Sequence, residues 1–163
     1  MKSPIIRIAT SADCSTIAVI YNKYLGTANM NLEPQDGAFY EILLQKQGAR
    51  ERLYVMTLEA EVIGWAIIKK YSDRLGYQYA AETSVYLDED HIGRGLGTYF
   101  KKYVISACKE LKYKRLVAKI WASNETSILY NKKLGYEEVG IQRKIGFVRG
   151  EWIDVIILQL ILE

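Results

Sequence analysis

The sequence is poor in the residues that carry metal and redox chemistry. Its 163 residues include only two cysteines, Cys14 and Cys108, and a single histidine, His91. Two thiols cannot build a disulfide framework, and with one imidazole they fall short of a typical zinc set, so no metal is expected. Proline occurs only at Pro4 and Pro34. With no repeat, low-complexity tract or linker, nothing marks a boundary, and residues 1–163 read as one domain. No apolar run approaches the roughly 20 residues that cross a bilayer. Met1-Lys2-Ser3-Pro4 leads straight into a strand-like segment without the hydrophobic stretch of a signal peptide, so a soluble, cytoplasmic protein with no membrane partner is expected.

What is present is globular in type. Half of the residues are hydrophobic and 25% are charged, which excludes disordered and collagen-like chains, and this length suffices for a sizeable core. The net charge is +3, but it is unevenly spread: between Lys69 and Lys144 there are 15 Lys and Arg against 9 Asp and Glu. That excess fits either a polyanionic ligand or a solvated helix face. Nucleic acid is disfavoured, because Lys101-Lys102, Lys112, Lys114-Arg115 and Lys132-Lys133 lack the interleaved aromatics of a stacking platform.

Along the chain, residues 5–9 read as a strand. Thr10, Ser11 and Asp13 then offer oxygens to cap a helix reaching about residue 25. An irregular stretch over 26–35 precedes a second helix over 36–47. Two β-rich runs, 52–58 and 62–71, have the look of a hairpin. Residues 77–87 form a further strand with Tyr79, Ala81, Thr83, Val85 and Leu87 on one face and Glu82, Ser84 and Tyr86 on the other. Helix 97–111, strand 115–121 and helix 125–134 follow, the last stopped by Gly135. Strands 136–145 and 152–162 close the chain around a turn at 146–150. Hairpins mixed with helical crossovers predict an α/β fold, a mixed sheet with helices on both faces in three layers.

Between the third hairpin-like strand and its helix lies His91-Ile92-Gly93-Arg94-Gly95-Leu96-Gly97-Thr98. Alternating glycines free the backbone to expose successive amides, and with a helix N-terminus they suit a phosphate. A tight structural turn is the alternative. The spacing is not the dinucleotide fingerprint, and no Gly-Lys-Ser/Thr makes it a P-loop.

The strand 81–87, this loop, and residues 124–136 ending in Lys-Lys-Leu-Gly-Tyr resemble the GNAT superfamily of acetyl-CoA-dependent N-acetyltransferases. The whole chain is similar to the phosphinothricin and methionine sulfoximine acetyltransferases, from Ile20-Tyr21-Asn22 and Leu32-Glu33-Pro34-Gln35 through Glu82 and Tyr86 to Gly146-Phe147, Gly150, Trp152, Asp154-Val155 and Gln159-Leu160. The resemblance implies a GNAT fold with a mostly antiparallel central sheet. It implies acetyl-CoA as co-substrate, its pyrophosphate on Gly93, Arg94, Gly95, Leu96, Gly97 and Thr98. The pantetheine arm and thioester would lie on Val85, Tyr86 and Leu87, with Asn124 and Lys133 as further contacts. Ile92 stands where the family has Gln or Arg, which removes a side-chain contact from a loop that binds through its backbone.

Amine acetylation must take a proton from nitrogen, since α-amino groups titrate near 7.7–8.0 and primary side-chain amines near 10.4. Glu82 is the family's general base by resemblance, and partial burial is expected to tune it. Backbone N–H groups near Val85 would hold the carbonyl oxygen as charge develops. Cys14 and Cys108 fall in helices and read as core. The family's proton donor to the leaving thiolate falls on Asn131, an amide. Tyr130, one residue earlier and about 100° round the helix, would replace it only on a turned or distorted helix. A non-catalytic acyl-CoA-binding or sensor module is the alternative reading.

The resemblance places the acceptor against Arg74, Leu75, Gly76, Tyr77 and Met30. Arg74 offers a bidentate partner to a carboxylate or phosphinate, or else is a solvated turn residue. Met30 and Ser72 depart from an aromatic and a basic residue of the phosphinothricin enzymes. A small amine or amino acid with a polar or anionic tail is the expected substrate. His91 is assigned to loop geometry, and Trp152 and Asp154 to the core and the support of the site. Relatives pair as homodimers, and Val155-Ile156-Ile157-Leu158 reads as either sheet core or partner surface.

Overall fold

The computed structural model describes residues 2–163. In chain order the elements are β1 (Ile5–Ile8), α1 (Cys14–Asn22), α2 (Gly37–Gln45), β2 (Arg52–Leu58), β3 (Glu61–Lys70), β4 (Ala80–Leu87), α3 (Leu96–Glu110), β5 (Arg115–Trp121), α4 (Glu125–Lys133), β6 (Glu137–Val148) and β7 (Glu151–Ile161). One seven-stranded sheet runs β1-β2-β3-β4-β5-β7-β6. The pair β4–β5 is parallel and its neighbours are antiparallel, because the α3 crossover returns the chain to the same end whereas hairpins reverse it.

Alternation in β2 builds two cores. Leu53 and Val55 join Trp65 beneath α1 and α2, while Tyr54 and Met56 join Ala66, Ile68, Ala81 and Leu116 beneath Phe100 and Val104 of α3. Both faces of this strand are covered, so it reads as a continuous apolar run. The three-layer expectation therefore stands. Cys14 and Cys108 are both fully buried free thiols in these cores.

Several boundaries differ from the sequence expectation. The first helix stops at Asn22 rather than near residue 25 and opens with a 3-10 turn, Ser11–Asp13. Arg7 grips the Asp13 carboxylate with two bonds of 2.7 and 2.8 Å. Residues 77–79 are not strand, because a 3-10 turn over Leu75–Tyr77 delays β4 to Ala80. The final hairpin turns at Arg149 and Gly150, not over 146–150, and its pairing slips between Gln142 and Gly146. That bulge is pinned where Lys144 N–H donates to Asp154 Oδ1 at 2.7 Å.

Val155, Ile156 and Leu158 are buried in the chain's own sheet, which decides for core over partner surface. Trp152 is 61% exposed and packs on Phe147. It is thus not a core residue, since the hairpin tip carries it beyond the flanking helices.

Candidate active site

The site begins with an interrupted ladder. Parallel pairing of β4 with β5 covers only Ala80, Ala81 and Glu82 against Arg115, Leu116 and Val117, whereas pairing of β4 with β3 continues to Leu87. From residue 83 onward the two parallel strands splay, and backbone groups of β4 that point toward β5 lose their ladder partners. Buried peptide groups need partners, so this edge is built to receive a ligand. Three adjoining cavities of 330, 160 and 510 Å³ follow it, sharing wall residues from one to the next.

The 330 Å³ cavity lies at the glycine loop and is walled by Val85, Leu87, Gly93, Gly95, Gly97, Thr98, Asn124 and Tyr130, among others. Gly93 and Gly95 have φ of +81° and +76°, a conformation that a side chain disfavours. Gly95 opens α3 without a side-chain cap, and the helix's first bond runs from Tyr99 N–H to Gly95 C=O. The N–H groups of Leu96, Gly97 and Thr98 have no intrahelical acceptor, so they present partial positive charge to an anion. The Leu96 side chain packs against the core. Arg94 and Lys133 are exposed and stand outside the cavity walls.

The 160 Å³ cavity occupies the throat of the splay, among Ser84, Val85, Tyr86, Lys101, Lys119, Tyr130 and Asn131. Tyr130 and Asn131 both line it without distortion of α4, because the throat meets the helix broadly. Asn131 is 2% exposed; its amide donates to Ser127 C=O at 2.8 Å and its Oδ1 is buried without a partner. Burial pushes the Tyr130 phenol up to about 12. Tyr24, which sequence reasoning missed, donates its hydroxyl to Leu87 C=O and so claims one acceptor of the freed edge.

Glu82 stands where the throat opens into the 510 Å³ chamber. Its side chain is part-buried, as expected, and two ammonium groups flank it as well. Lys119 Nζ donates to Oε2 at 3.1 Å and Lys69 Nζ lies 3.7 Å from Oε1. Lys69 is directly opposite Glu82 in the β3–β4 register, and opposite charges in such positions attract. Met30, Asn29, Asn31, Trp121, Gln142 and Phe147 complete the chamber with Tyr86. The Tyr86 ring stacks on Trp65 at 4.8 Å, which fixes this wall, and burial raises its phenol pKa.

Of the residues expected at the acceptor, the structure brings Met30 into the chamber wall. Arg74, Leu75, Gly76 and Tyr77 lie on an exposed turn and line none of the three cavities, with Leu75 80% exposed. Tyr77 packs on Tyr71, whose ring in turn lies 5.8 Å from Lys119 Nζ. His91 is held beside Asp88, in a loop that Asp88 also organises through bonds from Asp90 N–H and Lys23. Among the described residues no group of three or more His, Cys, Asp or Glu is placed to hold a metal ion, and no helix is long and apolar enough to cross a membrane.

Residues 6–157 match the acetyltransferase (GNAT) domain. The chain belongs to the GNAT acetyltransferases. It is 30% identical to a phosphinothricin N-acetyltransferase of Streptomyces viridochromogenes, over 92% of this chain and 83% of the relative. It is 32% identical to an L-methionine sulfoximine/L-methionine sulfone acetyltransferase of Salmonella typhimurium, over 97% and 94%. A GNAT superfamily phosphinothricin acetyltransferase from Sinorhizobium meliloti, solved in complex with AcCoA, superimposes with a TM-score of 0.92 at 25% identity, covering 99% of this chain and 89% of that one. The protein is therefore an N-acetyltransferase of GNAT fold.

Proposed function

We propose that this GNAT enzyme transfers the acetyl group of acetyl-CoA to the α-amino group of a small amino acid or analogue with a polar or anionic tail, phosphinothricin and methionine sulfoximine being the models. The observation that carries this reading is the position of Glu82, at the junction between a slot edged by free backbone groups and a chamber of amino-acid size. In the slot, the N–H groups of residues 96–98 suit the pyrophosphate, and the splayed stretch Val85, Tyr86 and Leu87, where Val85 turns its backbone toward β5, suits the pantetheine arm. Acetyl-CoA supplies the activated acyl group.

The chain's own residues then divide the work. Glu82 accepts the proton that the amine must lose, and the ammonium groups of Lys69 and Lys119 attract the acceptor's carboxylate to the same spot. Backbone N–H groups of the splayed strand hold the carbonyl oxygen. Attack is direct, without an acyl-cysteine. Cys108 is buried away from the slot and its thiol is pushed up to about 12 by burial, and Cys14 is fully buried under α2. Arg74 is assigned to the acceptor's anionic tail, which its guanidinium would hold with paired bonds.

A thiol-release screen with acetyl-CoA and amino acids, amino-acid analogues, polyamines and peptides tests this reading. Fastest turnover with small amino-acid analogues supports it; faster turnover of peptides or polyamines overturns the acceptor class, and acetyl-CoA binding without turnover of any amine supports a sensor instead. The single domain is proposed to act as a homodimer through exposed Val139, Ile141, Phe147 and Trp152 on the last hairpin, an apolar surface of the kind partners cover. A monomeric mass by sedimentation at micromolar concentration would reject the pairing.

A further inference from the structure

Lys101 is the one group in the throat whose presence the acetyltransfer scheme above does not explain. It sits on α3 facing the core and is 2% exposed. Among the described residues it makes no ion pair. Its ammonium donates to Thr83 Oγ1 at 2.9 Å and stands 5.0 Å from the centre of the Tyr136 ring. An ammonium carries three N–H donors, so this contact uses one and leaves a buried cation short of acceptors, an expensive arrangement. The space beside it is the 160 Å³ throat, and Asn131, also on that wall, offers an amide where the reaction calls for a proton donor.

We infer that Lys101 is a catalytic residue that meets the thioester sulfur and gives the departing thiolate its proton, in place of the side chain that Asn131 cannot supply. The inference rests on the acetyltransfer reading. As the acceptor nitrogen bonds to the acetyl carbon, the carbon–sulfur bond breaks and its electron pair passes to sulfur. Sulfur takes a proton from Lys101 Nζ, and nitrogen releases one to Glu82. The products are the amide and free CoA thiol, and transfer of one proton from Glu82 to Lys101 through solvent restores the enzyme.

The surroundings suit this task. Thr83 from β4, Asn131 and Tyr130 from α4, Tyr136 just beyond it and Cys108 from α3 face the ammonium, and β5 adds Ala118, Ile120 and the ammonium of Lys119, which is paired with Glu82. Burial raises Tyr136 and holds Tyr130 and Cys108 up at about 12, so none of them is ionised near neutrality. Burial also brings Lys101 down to about 8, close to a free thiol near 8.5. Tyr130 is by comparison too weak an acid.

Lys101→Met tests the assignment, because removing a buried charge for an apolar side chain of similar length leaves folding intact or improves it. Free CoA is titrated on each protein by ultraviolet thiolate absorbance. On wild type the bound thiol should ionise about one pH unit or more below its free value, as for an acid beside a cation, and on Lys101→Met at or above that value. Turnover should fall by about 10² or more, the usual worth of a positioned acid, with acetyl-CoA affinity unchanged and the alkaline limb near pH 8 gone. Identical thiol titration in the two proteins, full turnover in Lys101→Met, or acetylation of Lys101 itself on incubation with acetyl-CoA alone overturns the inference. A wild type that acetylates amines while Lys101→Met keeps full turnover rejects Lys101 alone; one that shifts the bound thiol but acetylates no amine leaves Lys101 beside the sulfur yet rejects the proposed function and the catalytic role with it, and failure to bind CoA rejects both.

Discussion

Gly64 offers a severe test of the splayed-strand site. It faces Leu87 across the β3–β4 ladder, and a Cβ there would stand 2.7 Å from Leu87 Cδ2 and 2.8 Å from the Tyr86 carbonyl oxygen. The first atom ends a side chain and can swing away. The second is backbone, and moving it moves the strand that edges the slot. In an uncrowded strand Gly→Ala gains roughly 0.5–1 kcal/mol, so the clash must reverse the sign. Overpacking costs about 1–3 kcal/mol, and a backbone obstacle puts Gly64→Ala at about 2–3, a fall in Tm of roughly 5–10 °C. Thermal melts and urea titrations read the stability. Because the strain falls on Tyr86 and Leu87, the KM for acetyl-CoA should rise as well. Gly76→Ala is the control, with nothing within 4 Å of its Cβ, and should leave both unchanged. A Gly64→Ala protein as stable as wild type with an unchanged KM would refute the reasoning.

Other consequences follow from single contacts. The Arg7 hydrogen bonds hold the Asp13 carboxyl below its usual range, so its contribution is complete above the unfolded value of about 3.9 and fades as pH falls through the depressed folded value. Asp13→Asn should cost about 1–2 kcal/mol at neutral pH in urea melts and flatten the acid side of the stability curve. Tyr24→Phe removes the donor to Leu87 C=O and should raise the KM for acetyl-CoA roughly fivefold, about 1 kcal/mol, with kcat held. Arg74→Ala should raise the KM for anionic acceptors alone; an unchanged value in steady-state assays would remove the 3-10 turn from the acceptor site.

Much of this fold is legible in the sequence. The apolar alternation of β2 and the β2–β3 hairpin announced a covered sheet, and the glycines at 93 and 95 announced a turn that only a missing side chain permits. Glu82 stood out through the resemblance of its strand to that of the family. Its neighbours were not: Lys119 reaches Glu82 only because parallel pairing sets Val117 beside it, a register that local sequence does not encode. Lys101 looked like part of a basic surface pair, and only the packing of α3 shows that it points inward. The bulge near Gln142 was hidden as well, since its hold is a carboxylate ten residues away in the next strand. Long-range packing, not local propensity, determines each of these.

The central claim is that Glu82 takes the proton from an amine attacking acetyl-CoA. Its most direct test is kcat for wild type and Glu82→Gln across pH, with phosphinothricin or methionine sulfoximine as acceptor and thiol release as the signal. Expected is a loss of about 10² or more near neutrality, shrinking as pH rises past the amine's own value near 8, where solvent removes the proton unaided. Wild-type kcat in Glu82→Gln at every pH would contradict it.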